Sequence, residues 1–170
     1  LFFALQPHAR VRARLAALAA THALPGERVV VAPDLHLTLV FLGSVAEPGL
    51  LALQELAAGV VAAPVDVKLT TIERWQGGVL CATGAAGAAL IALQRELQQH
   101  VGSAGFQVDE RIFRPHVTLA RGRHGAAPPA VQPIELLSWR VRSFCLMASA
   151  RREDGGRYTV IGRWRLKGAT

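Results

Sequence analysis

One tetrapeptide pattern occurs twice in this chain, as His36-Leu37-Thr38-Leu39 and as His116-Val117-Thr118-Leu119. On a β-strand, residues i and i+2 share a face, so His and Thr project together while Leu37 and Leu39, or Val117 and Leu119, turn into the core. Extending the alternation places Phe41 in the core with Leu37 and Leu39. Each copy follows a helical segment and lies in a different half of the chain. The economical explanation is an internal pseudo-twofold: two related lobes, each presenting one imidazole and one hydroxyl to a shared cleft from a rigid strand.

The rest of the sequence supplies the layers around those strands. Val11, Leu15 and Leu18 recur at helical spacing in a first amphipathic segment, and Leu50, Leu53, Ala57 and Val60 in a second, with Pro48 in its first turn. Leu90, Leu93, Leu97 and Val101 mark a third, with Gln94, Arg95, Gln98 and Gln99 on its polar side and Gly102 as its stop. Period-two alternation sets Val65, Val67, Leu69 and Thr71 against Asp66, Lys68, Thr70 and Ile72. Trp139 to Ala150 reads as one strand, joined through Arg151 to Gly156 to a last strand containing Tyr158, Val160 and Trp164, a C-terminal hairpin. Gly122 to Pro133, with Pro128-Pro129, reads as an irregular loop. With 170 residues, the whole chain, 1–170, is expected to be a single bilobal α+β domain. Its lobes would be of mainly antiparallel sheet, with helices outside and a central groove.

Several chemistries fit this residue set poorly. Metal binding would call for His-x-His or added carboxylates, and Thr is not a usual ligand for metals that imidazole favours. There is no G-x-S-x-G for a serine hydrolase. Cys81 and Cys145 sit singly in apolar runs and read as buried core. Phosphodiester hydrolysis without metal fits best. In-line displacement at phosphorus needs one group to take a proton from the attacking oxygen and another, opposite, to protonate the leaving oxygen, and two histidines in opposite protonation states do both near neutrality. Thr38 and Thr118 would donate to the non-bridging oxygens. The charge agrees: 19 Lys+Arg against 12 Asp+Glu give +7, the only lysines being Lys68 and Lys167. Arg favours planar recognition of phosphate, although genome base composition alone accounts for such a ratio equally well.

The motif pair, together with Leu1-Phe2-Phe3-Ala4-Leu5, His36 through Gly43, Arg114 through Arg121 and the closing Trp164-Arg165-Leu166, resembles the two-histidine phosphoesterase superfamily. Within it, the chain is most similar to the bacterial and archaeal RNA 2′,3′-cyclic phosphodiesterases, historically called 2′-5′ RNA ligases. The resemblance implies a bilobal fold and an enzyme, without metal or cofactor, that opens a terminal 2′,3′-cyclic phosphate on RNA to leave a 2′-phosphate. His36 and His116 become the catalytic pair and Thr38 and Thr118 the phosphate-binding residues. His36 is then the acid at the 3′ leaving oxygen and His116 the base for water, although a near-symmetric site permits either order. Arg121 is expected to contact the substrate phosphate, reaching the groove only if its strand bends or ends there. Arg114 divides evenly between phosphate contact and a structural ion pair.

The remaining residues carry blander readings. His8, His22, His100 and His124 lack a Thr partner and read as surface or helix-end residues. Trp75, Trp139 and Trp164 read as packing, with room for one to line the groove. The first-helix arginines and Arg157, Arg163 and Arg165 form either a backbone-tracking basic surface or a solvated face. An apolar Leu1–Leu5 followed by Pro7 and three arginines is the wrong order for a signal peptide, and no run of 18 apolar residues exists. A cytoplasmic monomer acting on RNA ends, with small nucleotides as further ligands and no membrane partner, is the expectation. Competing readings are a nucleotide-binding regulatory module, a small-molecule cyclic nucleotide phosphodiesterase, and RNA ligation. A broad basic groove would favour RNA, a closed pocket a small cyclic nucleotide.

Overall fold

The computed structural model describes residues 1–109, 111–122, 130–150, 153 and 155–168. In chain order the elements are β1 (Phe2–Leu5), α1 (Ala9–His22), β2 (Arg28–Val29), a 3-10 turn (Ala32–Asp34), β3 (Leu37–Phe41), α2 (Glu47–Ala58), β4 (Val65–Trp75) and β5 (Val79–Thr83). Then come α3 (Ala88–Ser103), β6 (His116–Arg121), β7 (Ala130–Val141), β8 (Ser143–Ser149) and β9 (Tyr158–Arg165). The strands form one antiparallel sheet in the order β7-β4-β5-β6-β3-β1-β8-β9, with β2 pairing on β6. The two motif strands stand at its centre, where Leu37 pairs with Val117. Strand for strand, β5 mirrors β1, β4 mirrors β8 and β7 mirrors β9, the pseudo-twofold expected from the repeated motif.

Only Arg142 separates β7, at one end of the sheet, from β8, next to the other end. Consecutive Cα atoms are about 3.8 Å apart, so the end of β7 and the start of β8 lie within about 8 Å of each other and the sheet must curl. The strand expected from Trp139 to Ala150 is therefore two strands, one serving each half. The expected loop also ends sooner: Ala130 to Pro133 already belong to β7, and residues 123–129 lie outside the described residues. Pro133 is compatible with a strand here because β7 is an edge strand, whose outer amides need no partner.

The apolar stripes of the helices seal the core. Val11, Leu15 and Ala19 of α1, Leu53 and Ala57 of α2, and Leu90, Leu93, Leu97 and Val101 of α3 are all buried. Helix α1 packs across β5, β6 and β7 of the opposite half, whereas α3 packs on β3 of the opposite half and on β4 of its own. Helix α3 corrects two expectations. Gln94 is buried rather than on the polar face, its amide donating to Gln98 at 2.9 Å. The helix runs past Gly102 and ends where Gly105 adopts φ +82°, with the Phe106 amide donating back to the Val101 carbonyl.

Four ladders carry a register shift, the one between β8 and β9 making Ile161 an extra residue, and the other three overturn the alternation read from the sequence. Along β1 and β3, Phe3 pairs with Val40 but Ala4 with Thr38, so Leu39 is an extra residue in its strand. Leu39 and Val40 are consequently both buried, and Phe41, expected in the core, is 56% exposed on the His36 and Thr38 side. The same shift recurs at the equivalent place in β6, where Leu80 pairs with Ala120 but Cys81 with Thr118, making Leu119 the extra residue. On β4 the ladder shifts between Leu69 and Thr71, and beyond it Ile72 and Arg74 turn inward, against the predicted pattern.

Candidate active site

The paired bulges define what each motif strand offers. Each presents a His, a Thr and a third residue on one face: His36, just before β3, with Thr38 and Phe41 of β3, and His116, Thr118 and Arg121 from β6. These six residues line one cavity of about 130 Å³. The Leu37–Val117 pairing sets His36 opposite Thr118 and Thr38 opposite His116 on the antiparallel register. Each imidazole is thus diagonal to the other with a hydroxyl from the facing strand beside it. Arg121 reaches this face through the bend at Leu119, the condition under which the sequence allowed it to.

Both imidazoles are fixed in the same way. The Nδ1–H of His36 donates to the Asp34 carbonyl at 2.6 Å, and that of His116 to the Arg114 carbonyl at 2.8 Å. A carbonyl only accepts, so each Nδ1 carries a proton and Nε2 is the nitrogen offered to the cleft. Rings pack behind them. Phe2 stacks on His36 at 4.7 Å between centroids and Tyr158 meets it edge-on at 5.1 Å, while Trp75 lies 4.7 Å from His116. Burial lowers the pKa of both histidines from the ordinary imidazole value. The carbonyl bond favours the protonated form of each ring and the Arg121 charge disfavours it in both; beyond these, the Asp34 carboxylate favours and the His116 charge disfavours protonated His36, while His116 meets Arg114 against protonation and Glu73 for it.

A carboxylate stands behind each half, and sequence reasoning singled out neither. The buried Asp34 side chain accepts from the backbone amides of Arg157, at 2.7 Å, and Tyr158, at 3.3 Å, tying the start of β9 to the cleft. Glu73 accepts from the Trp75 indole at 2.6 Å, the Thr83 hydroxyl at 2.7 Å and Arg114 at 2.8 Å. That ion pair, with the Arg114 guanidinium 4.8 Å over the Trp75 ring, keeps Arg114 out of the small cavity. Two other arginines enter it instead. Arg28 of β2 pairs directly across from Arg121, and Arg157 also lines the cavity. Among the described residues none of these three guanidiniums meets a carboxylate. Opposed like charges repel, and the cavity carries an excess of positive charge among the described residues.

A second, larger cavity of about 490 Å³ adjoins the first and shares Thr38, Phe41, His116, Thr118 and Arg121 with it. Trp75, Phe113 and Arg114 are on its wall, so of the three tryptophans Trp75 is the one that lines the groove. Trp139 is buried, and Trp164 packs on Phe3 and Phe144. Cys81 and Cys145 are buried free thiols. Burial pushes Cys81 up to about 12, too high for a nucleophile near neutrality. His8 is exposed and His22 and His100 are half-buried near helix ends, while His124 lies outside the described residues. Among the described residues no group of three or more His, Cys, Asp or Glu is placed to hold a metal ion, and no helix is long and apolar enough to cross a membrane.

Comparison with known proteins agrees with this geometry. The family model of the 2′-5′ RNA ligase superfamily matches residues 5–153. The chain is 33% identical over 172 residues to an RNA 2′,3′-cyclic phosphodiesterase of Escherichia coli K12, covering 98% of this chain and 96% of that protein. It is 32% identical over 191 residues to an RNA 2′,3′-cyclic phosphodiesterase of Thermus thermophilus, covering 99% and 90%. Among solved structures, E. coli LigT complexed with 3′-AMP superposes with a TM-score of 0.83 at 32% identity, over 97% of this chain and 96% of that one. The paired motifs, the mirrored sheet and these similarities place the chain in the 2′-5′ RNA ligase superfamily, among its LigT-like 2′,3′-cyclic phosphodiesterases, and make it a hydrolase.

Proposed function

We propose that this chain hydrolyses the terminal 2′,3′-cyclic phosphate of RNA to a 2′-phosphate, using its own two histidines as acid and base and no metal ion. The observation that carries this reading is the cavity between the motif strands, where two Nε2 atoms and the guanidiniums of Arg28, Arg121 and Arg157 surround a space suited to one phosphodiester. Thr38 and Thr118 donate to its non-bridging oxygens, and Arg121 balances their charge. The continuity of the small cavity with the larger one supports an RNA end over a small cyclic nucleotide, because a polymer needs a way out.

The charge around the imidazoles supports a direction for the protons. His36, with Asp34 beside it, is the acid: its Nε2–H protonates the 3′ oxygen as the P–O3′ bond breaks. His116, facing Arg121 and Arg114, is the base: its Nε2 takes a proton from water as the oxygen bonds to phosphorus. Transfer back through product release or solvent restores both rings.

This pair predicts a bell-shaped pH profile. Protonating both rings removes the base, and deprotonating both removes the acid. Because burial holds both groups below the usual histidine value, kcat/KM, which reports the free enzyme, should peak below about pH 6.5 and decline through neutrality. The bound phosphodiester anion favours imidazolium, so the alkaline limb of kcat should lie higher. Steady-state rates between about pH 4.5 and 9 on an oligonucleotide ending in a cyclic phosphate test this. A kcat/KM still rising above about pH 7.5 would contradict it.

A further inference from the structure

The two imidazoles are held by equivalent parts that are joined in different ways. His36 gives its Nδ1–H to the Asp34 carbonyl and meets the Tyr158 ring edge-on. One residue links those two supports, because the Asp34 carboxylate also holds the Tyr158 amide. On the other side three separate residues surround His116. The Arg114 carbonyl accepts its Nδ1–H, the Trp75 ring lies against it, and Thr83 is its partner across the β5–β6 ladder. All three donate to a single carboxylate. Glu73 accepts from the Trp75 indole and the Arg114 guanidinium on Oε2 and from the Thr83 hydroxyl on Oε1. The register shift on β4 brings it there: with Ile72 and Arg74 turned inward, Thr71, Glu73 and Trp75 take the opposite face. Desolvation raises the pKa of Glu73, but the three donors outweigh it and hold the carboxyl below its ordinary value.

We propose that Glu73 is the positioning residue of His116: by tying Arg114, Trp75 and Thr83 to one another, it keeps the ring in the one tautomer and orientation that offer Nε2 to the cleft. This rests on the reading of His116 as a catalytic group. Glu73 lines neither cavity, so it acts through the three residues it binds. A neutral imidazole carries its proton on either nitrogen, and a carbonyl selects Nδ1 only while it stays in reach. Arg114 lies between α3 and β6 in no regular element, and Glu73 anchors its side chain. Groups that transfer protons need such support, because a small misplacement of the ring is felt directly in the rate.

Long-range proton–nitrogen correlation spectra, taken where both rings are neutral, report which nitrogen of each histidine carries the proton. They are recorded for the wild-type chain, Glu73→Ala, Glu73→Gln and Arg114→Ala, with melting curves and hydrolysis of a cyclic-phosphate RNA end alongside. Glutamine preserves the ties: its carbonyl oxygen accepts from Trp75 and Arg114 while its amide donates to the Thr83 hydroxyl, which donates on to Thr71 Oγ1, 2.6 Å away. In the wild type both rings should carry the proton on Nδ1. Glu73→Ala should leave His36 so, turn His116 into a mixture of tautomers and lower kcat about tenfold or more. Glu73→Gln should keep the single tautomer, with kcat within about threefold of the wild type. Arg114→Ala removes a side chain that is 60% exposed, so it should fold, and by cutting one tie of three it should mix the His116 tautomers to a smaller extent. A folded Glu73→Ala chain in which His116 keeps the single Nδ1 tautomer would overturn the proposal whatever its rate, as would the same result in Arg114→Ala if Glu73→Ala does not fold. A Glu73→Gln chain as mixed as Glu73→Ala would overturn it too. If the tautomers behave as expected but the wild type leaves the cyclic end intact, the positioning role stands and the hydrolytic reading falls.

Discussion

Replacing His36 or His116 with alanine is expected to lower kcat on a cyclic-phosphate RNA end by about 10²–10⁴-fold, the range typical of a lost general acid or base. The two losses should not add. Once either partner is gone, the remaining imidazole has no proton-transfer counterpart across phosphorus, so the double variant should be only slightly slower than the worse single one. Binding should survive better than turnover, because Thr38, Thr118 and the arginines still meet the phosphate. Stopped assays with an unmodified oligonucleotide, together with melting curves to show that each variant is folded, provide the check. A single variant with near wild-type turnover would mean that its histidine is neither acid nor base.

The largest effect on stability is expected from Arg74. Its guanidinium is 8% exposed and pairs with Glu27, whose side chain is 2% exposed, and it also donates to the His22 carbonyl at 3.0 Å. These contacts fasten the end of α1 and the segment leading into β2 to β4, and so hold Arg28 at the cavity. Arg74→Met would leave the Glu27 carboxylate buried without its countercharge, which costs about 3–5 kcal/mol. For a chain of this size that is a fall in melting temperature of about 10 °C. Adding Glu27→Leu removes the stranded charge and should recover most of the loss. If Arg74→Met alone melts within about 2 °C of the wild type, the pair is not the tie described.

Much of the centre of the fold was legible because alternation is a local signal. His36-Leu37-Thr38 and His116-Val117-Thr118 each show which side chains share a face, and their repetition indicates two halves. The stripes of α1, α2 and α3 were equally readable. What alternation cannot reveal is where a strand takes an extra residue, because the ladder partner sits elsewhere in the sequence. Leu39-Val40 and Leu119-Ala120 leave a faint trace, two consecutive apolar residues after the Thr, and they decide that Phe41 and Arg121 face the cleft. Asp34 and Glu73 were missed for a related reason: their partners at Arg157 and Arg114 are distant in the chain and are brought close only by the sheet. Arg28 lies on a two-residue strand with no pattern to read, and its place opposite Arg121 follows from pairing alone.

The most direct measurement is the fate of an RNA oligonucleotide ending in a 2′,3′-cyclic phosphate, incubated with the purified chain in EDTA, with the product isomers resolved. Acid–base catalysis by His36 and His116 predicts multiple turnovers in the chelator, with the 2′-phosphate as product and P–O3′ as the bond that breaks. An intact cyclic end after incubation with folded protein, or a 3′-phosphate product, would contradict it.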